Sequence, residues 1–293
     1  MKNKSLDTQL SITLKDGRQL GFAEYGSPDG KPIFFFHGLP GCRLDASHFQ
    51  EVALSNHYRL IGIDRPGMGL STIHKKRSIL SWADDVEEFA NHLALQKFAI
   101  IGHSGGAPFV AACAYRIPER LNGVAIVAGM GPFEIPEATA CLNRGPRFIN
   151  HAIKMIPLTA TACMKLTVLL FKYPKMLHAA MKKLPEIDRI CFYSLGNLEV
   201  ITAILMEPFK EGVSGPAKDM QLTVNPWGFS LANIKLNCPV TIWQGGLDTQ
   251  APAMHAELYA KLIPNAKLTF VKQEGHISLL VNKIEEILQS ITV

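Results

Sequence analysis

Ser104 is the residue whose type and setting most plainly allow chemistry. It is the centre of Gly102-His103-Ser104-Gly105-Gly106, a G-x-S-x-G pentad. Before it runs Phe98 to Ile101, β-branched and aromatic in the manner of a buried strand, and after it Ala107 to Tyr115, small and apolar as in a packed helix. A serine on so tight a strand-to-helix turn holds its hydroxyl out into a cleft, and glycines around it let strand and helix approach closely. The N–H of Gly105, just beyond the serine, then points to where an oxyanion would form. A neutral hydroxyl is a poor nucleophile and needs a base near neutrality, for which histidine is suited. Of the ten histidines, His276, His37 and His103 stand in motifs at strand ends. Asp248, Asp64, Asp219 and Glu134 are the carboxylates to weigh as partner of that base.

The elements that must position these residues alternate. Leu10–Leu14 and Arg18–Tyr25 read as strands joined by a hairpin at Asp16-Gly17. Apolar runs at Pro32–Phe36, Phe98–Ile101 and Gly123–Val127 read as buried strands, and Arg59–Ile63, Val240–Gln244 and Lys267–Val271 as further strands, with helices between them. Helices are expected over about 45–56, from an Ser81 cap, after the pentad, over 252–262 and to about Ser290. Strands alternating with helices at this interval imply a mostly parallel sheet covered on both faces. The rhythm breaks between residues 132 and 225, where Met-rich helical patterns are interrupted at Pro157, Pro174, Pro185 and Pro208. The expected organisation is a core of residues 1–131 and 226–293 with a helical lid of residues 132–225.

Two patterns in the lid have two readings each. Arg144, Arg147, Lys154, Lys165, Lys172, Lys175, Lys182 and Lys183 recur among apolar residues. They fit exposed faces of amphipathic helices, or alternatively a site for an acidic ligand or a membrane surface that delivers apolar substrate. Met155, Met164, Met176 and Met181, with Leu169, Leu170 and Phe171, fit a helical core or an adaptable substrate wall.

Composition narrows the class. With 47% hydrophobic and 19% charged residues over 293, the chain can bury a large core and is not of the disordered type. A net charge of +5 with no long basic run argues against a nucleic-acid track; the densest cluster, Lys75-Lys76-Arg77, reads as a solvated loop. The first residues turn polar too quickly for a secretory signal, and the longest apolar stretch, around Thr159–Phe171, is interrupted by Lys165 and too short for a bilayer span. Cys42, Cys113, Cys141, Cys163, Cys191 and Cys238 lack C-x-x-C spacing, so they read as reduced packing residues of a cytoplasmic protein. No metal and no organic cofactor is expected.

The motifs taken together resemble those of the α/β-hydrolase fold over nearly the whole chain. They are His37-Gly38, the run Asp64-Arg65-Pro66-Gly67-Met68-Gly69-Leu70-Ser71, the pentad, Gly246-Leu247-Asp248 and Gly275-His276, in Ser–Asp–His order. The resemblance implies Ser104 as nucleophile, His276 as base and Asp248 as its acid, with Asp219 and Glu134 as fallbacks and Asp64 in a structural loop. It assigns the second oxyanion donor, beside Gly105, to the N–H of Leu39; Pro40 has none to give. His37 and His103 are expected to border the substrate, with Met164 and Phe171 above it, and Cys42 is expected to pack only. The serine disfavours the dehalogenase and epoxide hydrolase branches, which carry Asp at the elbow. The loop His37-Gly38-Leu39-Pro40-Gly41 is similar to that of proline iminopeptidases but departs at Leu39, and the elbow lacks their Gly-Gly-Ser-Trp-Gly form. The expectation is therefore a serine hydrolase of small to medium carboxylic esters with an apolar part. A peptidase, a carbon–carbon bond hydrolase, and a slow-turnover binding or sensory protein remain as alternatives, and the oligomeric state is left open.

Overall fold

The structure is a computed structural model, and it describes residues 8–292; the first seven, part of the polar N-terminal stretch, lie outside the described residues. Eight strands form one sheet: β1 (Leu10–Thr13), β2 (Gln19–Gly26), β3 (Lys31–Phe36), β4 (Tyr58–Ile63), β5 (Phe98–His103), β6 (Leu121–Val127), β7 (Val240–Gly245) and β8 (Lys267–Val271). Their spatial order is β1-β2-β4-β3-β5-β6-β7-β8. Only β2 runs against its neighbours, pairing antiparallel with β1 and β4.

Alternation along the inner strands explains why they read as unbroken apolar runs. On β3, Ile33 and Phe35 enter one core while Phe34 and Phe36 enter the other. With both faces covered, no position can be polar. On the first face β3 and β5 meet α2 (Ser81–His92, following α1 at Gln50–Ser55) and α3 (Ala107–Arg116), with Phe34 stacked on Phe98 at 4.3 Å and Phe36 edge-on to Trp82. Ser81 opens α2 as its first helical residue, and its hydroxyl accepts from the Ser78 N–H, so it caps the preceding turn and not the helix.

Between β6 and β7 lie seven helices: α4 (Pro136–Ala140), α5 (Arg144–Met155), α6 (Leu158–Lys172), α7 (Pro174–Met181), α8 (Glu186–Ser194), α9 (Leu198–Met206) and α10 (Ser214–Val224). Two small cores hold them together. Phe133, Ile153, Met164, Phe209 and Val224 make one, and Leu177, Phe192 and Ile201 the other. The chain returns through α11 (Ala253–Leu262) and α12 (His276–Gln289), and α12 covers the second face of the sheet with Leu279, Ile284 and Ile287. Among the described residues no single helix is long and apolar enough to cross a membrane, and the six cysteines form no disulfide.

Candidate active site

β5 ends in the middle of the sheet, and the chain turns there into α3 through Ser104–Gly106. Ser104 sits at φ +53°, a left-handed conformation that costs a non-glycine residue of order 1 kcal/mol or more. The turn places the serine at the C-terminal edge of a parallel sheet, where ligands of such sheets bind. Ser104 borders a cavity of about 380 Å³ roofed by the lid. His276 lines the same cavity, so the structure brings together residues 172 positions apart.

His276 is paired with Asp248: its Nδ1 lies 2.8 Å from Oδ2, and the carboxylate is fully buried. The Asp248 Oδ1 accepts from the N–H groups of Gln250 and Ala251 at 2.7 and 2.8 Å. Burial alone would push this carboxyl up, but the His276 ring and those two N–H groups outweigh it and hold it below the ordinary carboxylate range. An ionised acceptor on Nδ1 fixes the ring as the tautomer with a bare Nε2, the form that can take a proton. The fallback acids are occupied elsewhere. Asp219 is buried between Arg65 and Arg77, and Glu134 is exposed. Asp64 is paired with Arg43 and accepts from the Leu70 N–H, bracing the loop after β4.

The stretch after β3 is shaped by Arg65. Its guanidinium donates to the carbonyls of His37 at 2.6 Å and Gly38 at 2.8 Å, bonds Asp219 through Nε at 2.6 Å, and lies 4.5 Å from the Phe109 ring centre. In a trans peptide the C=O and N–H point opposite ways, so Arg65 holding the Gly38 carbonyl turns the Leu39 N–H to the other side. That side is the elbow: a Cβ built on Gly105 would fall 3.2 Å from the Leu39 N and 2.6 Å from its Cβ, so only glycine lets the two backbones come this close. The backbones of Leu39 and Gly105 thus approach each other closely beside Ser104.

His37 and Met164 do not touch the cavity, contrary to expectation. His37 is fully buried; its Nδ1–H donates to the Gly38 carbonyl at 2.9 Å and its Nε2 accepts from the Arg65 N–H at 3.2 Å. Burial, and then the Arg65 charge, hold it neutral with its pKa well below the usual range. Met164 is inside the lid core, on the opposite face of α6 from solvent but not over the serine. Of the remaining lid residues considered for the wall, Leu170, Phe171 and Met181 reach the cavity, whereas Met155, Met176 and Leu169 are exposed. His103 does line the cavity, and its Nε2–H donates to the His276 carbonyl at 3.0 Å. Burial, with the neighbouring His276 ring, brings its pKa down to about 3. The cluster Lys75-Lys76-Arg77 is not uniformly solvated either, since Arg77 is buried on Asp219 and on the Gly215 carbonyl.

Three contributors escape a local reading of the chain. Asp188, on α8 of the lid, is fully buried and accepts from the N–H groups of His276, Ile277 and Ser278, each at 2.9 Å. Any side chain at Gly275 would collide with that carboxylate. Glu207 of the lid reaches Arg43 at 2.7 Å, tying a second lid segment to the turn after β3. Asp45, in the turn after β3, lines the cavity, and among the described residues no cation is bonded to it. Its burial pushes the carboxyl up to about 7, against the pull of Arg65. Among the described residues no group of three or more His, Cys, Asp or Glu is arranged to hold a metal ion.

Residues 31–141 match the family described as alpha/beta hydrolase fold. A bifunctional esterase/perhydrolase of Acinetobacter calcoaceticus is 25% identical over 88% of this chain and 89% of its own length. A proline iminopeptidase of Arabidopsis thaliana is 26% identical over 40% of this chain, a match spanning only 31% of that protein's length. In structure, an esterase from Exiguobacterium antarcticum superposes with a TM-score of 0.68 at 18% identity, covering 96% of this chain and 98% of its own. A sheet in this strand order, a serine on the turn after its central strand, and these likenesses in sequence and structure lead to one conclusion: the chain has the α/β-hydrolase fold.

Proposed function

We propose that this chain is a serine hydrolase of carboxylic esters bearing an apolar group. The observation that carries the reading is the Asp248–His276 pair at 2.8 Å on the same cavity as Ser104. The Ser104 Oγ attacks the acyl carbon as the His276 Nε2 takes its proton. The carbonyl oxygen becomes an oxyanion held by the N–H groups of Leu39 and Gly105, donors of a kind that contribute roughly 3–4 kcal/mol each to the transition state. The imidazolium, stabilised by Asp248, gives the proton to the departing alkoxide, and an acyl-enzyme remains. Water then repeats the sequence, with His276 as base, to release the acid and restore Ser104. No step needs a metal or an organic cofactor. The apolar substrate class is supported by the cavity wall, where Phe171, Leu177, Met181, Phe192, Ile201 and Ile204 predominate.

Labelling by a fluorophosphonate, followed by turnover of p-nitrophenyl esters, tests the reading. Wild type should do both and Ser104→Ala neither, with kcat/KM down by several orders of magnitude to what binding and the oxyanion donors alone sustain. A Ser104→Ala variant that hydrolyses esters at the wild-type rate would discard the assignment. Labelling without turnover at any acyl length would favour a binding protein. One observation favours a peptidase as the second reading: the Asp45 carboxyl on the cavity is a group that an amine-bearing substrate would seek. Faster cleavage of a proline anilide than of any neutral ester would select it.

A further inference from the structure

Helix α6 is apolar on both sides. Its inner side packs Ala160 and Met164 into the lid core, while Leu158, Ala162, Leu166 and Leu169 line its outer side at helical spacing. A helix covered with apolar groups all round belongs in an interior or a membrane, yet here the outer side is open. Leu158 is 75% exposed, Leu166 62%, and on the neighbouring α5 Phe148 is 72% and Met155 68% exposed. The stripe continues through Tyr173 and Met176 at the start of α7. Fifteen residues of α6 at about 1.5 Å each make it roughly 22 Å long.

The charges around this stripe have one sign. Between Glu137 and Glu186 the chain has eight Lys and Arg and no Asp or Glu. All eight are exposed, and none forms an ion pair among the described residues. Lys165 and Lys172 flank the apolar residues of α6, and Lys175 follows on α7. On α5, Arg144, Arg147, His151 and Lys154 recur along one side and line a cleft of about 440 Å³ together with Phe148. A basic cleft of this size beside exposed apolar side chains matches a phosphate headgroup beside acyl chains. A second copy of the chain matches less well, because a twofold contact would set this cationic face against itself.

We propose that the outer face of α5, α6 and the start of α7 docks on an anionic lipid surface, phosphate groups meeting the basic residues and Leu158, Leu166, Leu169 and Phe148 entering the acyl boundary. This places the roof of the cavity against the bilayer, where apolar esters concentrate. The docking does not depend on the serine, so Ser104→Ala should bind vesicles as wild type does, and a failure of the hydrolase reading would leave it standing.

The experiment is flotation of the purified chain with phosphatidylcholine vesicles, with and without phosphatidylglycerol. The chain should float with the anionic vesicles at physiological ionic strength, stay behind with the neutral ones, and be released as salt is raised. Lys165→Gln with Lys172→Gln should weaken partitioning about fivefold per cation removed. Leu158→Asp with Leu166→Asp should abolish it, while melting temperature and turnover of a water-soluble ester stay unchanged, since none of these side chains touches the cavity. Equal binding to both vesicles, binding to neither, or variants that float like wild type would overturn the proposal. So would a sizing column on which the wild type runs as a dimer and Leu158→Asp with Leu166→Asp as a monomer, since the face would then be an interface between copies.

Discussion

Asp188 and His276 lie on different parts of the fold, yet the Asp188 Oδ2 is 2.9 Å from the His276 backbone N–H. The carboxylate belongs to a lid helix, and the residue it grips is the first of α12 and the proposed base. A helix start leaves N–H groups without partners, and a negative charge there is favourable twice over, by hydrogen bonding and by the helix dipole. Here the capping group comes from 88 residues away. The lid therefore helps place the His276 ring as well as roofing the cavity.

Replacing Asp188 should accordingly cost both stability and rate. Asp188→Asn keeps the shape but turns an amide N–H toward a backbone N–H and removes the charge, for a loss of roughly 1.5–3 kcal/mol. Thermal unfolding should come earlier, and kcat should fall more than KM rises, because the ring is displaced while the apolar wall is intact. Asp188→Ala should be worse on both counts. If Asp188→Asn melts early but its kcat equals wild type, the contact serves packing alone.

The acid assignment separates cleanly between two buried aspartates. Asp248→Asn removes the acceptor that selects the His276 tautomer, and kcat should drop by orders of magnitude with little change in melting temperature. Asp219→Asn strips the charge partner from Arg65 and Arg77 together. Its main effect should be on stability, by about 3–5 kcal/mol, as when one member of a buried ion pair is removed. Kinetics and melting curves on both variants decide. An active Asp248→Asn beside an inactive, well-folded Asp219→Asn would reverse the roles.

What a reader of the chain can and cannot see follows from range. The strands were legible because β3, β5 and β6 are buried on both faces and so carry unbroken apolar runs. The pentad was legible because its five residues are consecutive. Asp188 was not, since nothing around it in sequence marks a carboxylate that caps a helix beginning at residue 276. Arg77 misleads for the same reason: two lysines beside it suggest solvent, and its partner Asp219 is 142 residues on. Met164 and Phe171 could not be told apart, because α6 is apolar on both sides and periodicity then assigns no inner face. His37 borders the right loop by sequence, but only the Arg65 and Gly38 bonds reveal that its ring faces protein.

Asp45 makes stability depend on pH with a definite sign. Its carboxyl titrates near pH 7 in the folded chain and about 3.9 when unfolded. Between those values the folded state holds the extra proton, so stability falls as pH rises through this window. The groups around it are Cys42, raised by burial, the buried Asp64, His48, lowered by burial, and Arg65 on the far side. Asp45→Asn removes the charge without changing the shape. It should melt higher than wild type at pH 8 and no higher at pH 4. Parallel melting curves across that range would refute the ionisation of Asp45 as the cause.

Substrate length should be read by Phe171 and not by Met164. Phe171 lines the cavity, whereas Met164 is 3% exposed within the lid core. Each methylene that finds an apolar wall contributes about 0.8 kcal/mol, so kcat/KM should rise roughly fourfold per added carbon of the acyl chain until the space is full. Phe171→Ala enlarges the cavity and should move the optimum to longer chains. Met164→Ala leaves a void in the lid, lowering stability by about 2–5 kcal/mol, with the optimum where wild type has it. A series of p-nitrophenyl esters from acetate to decanoate on all three proteins, with melting curves alongside, measures both effects. If Met164→Ala shifts the optimum and Phe171→Ala does not, the face of α6 that meets substrate is the one carrying Met164.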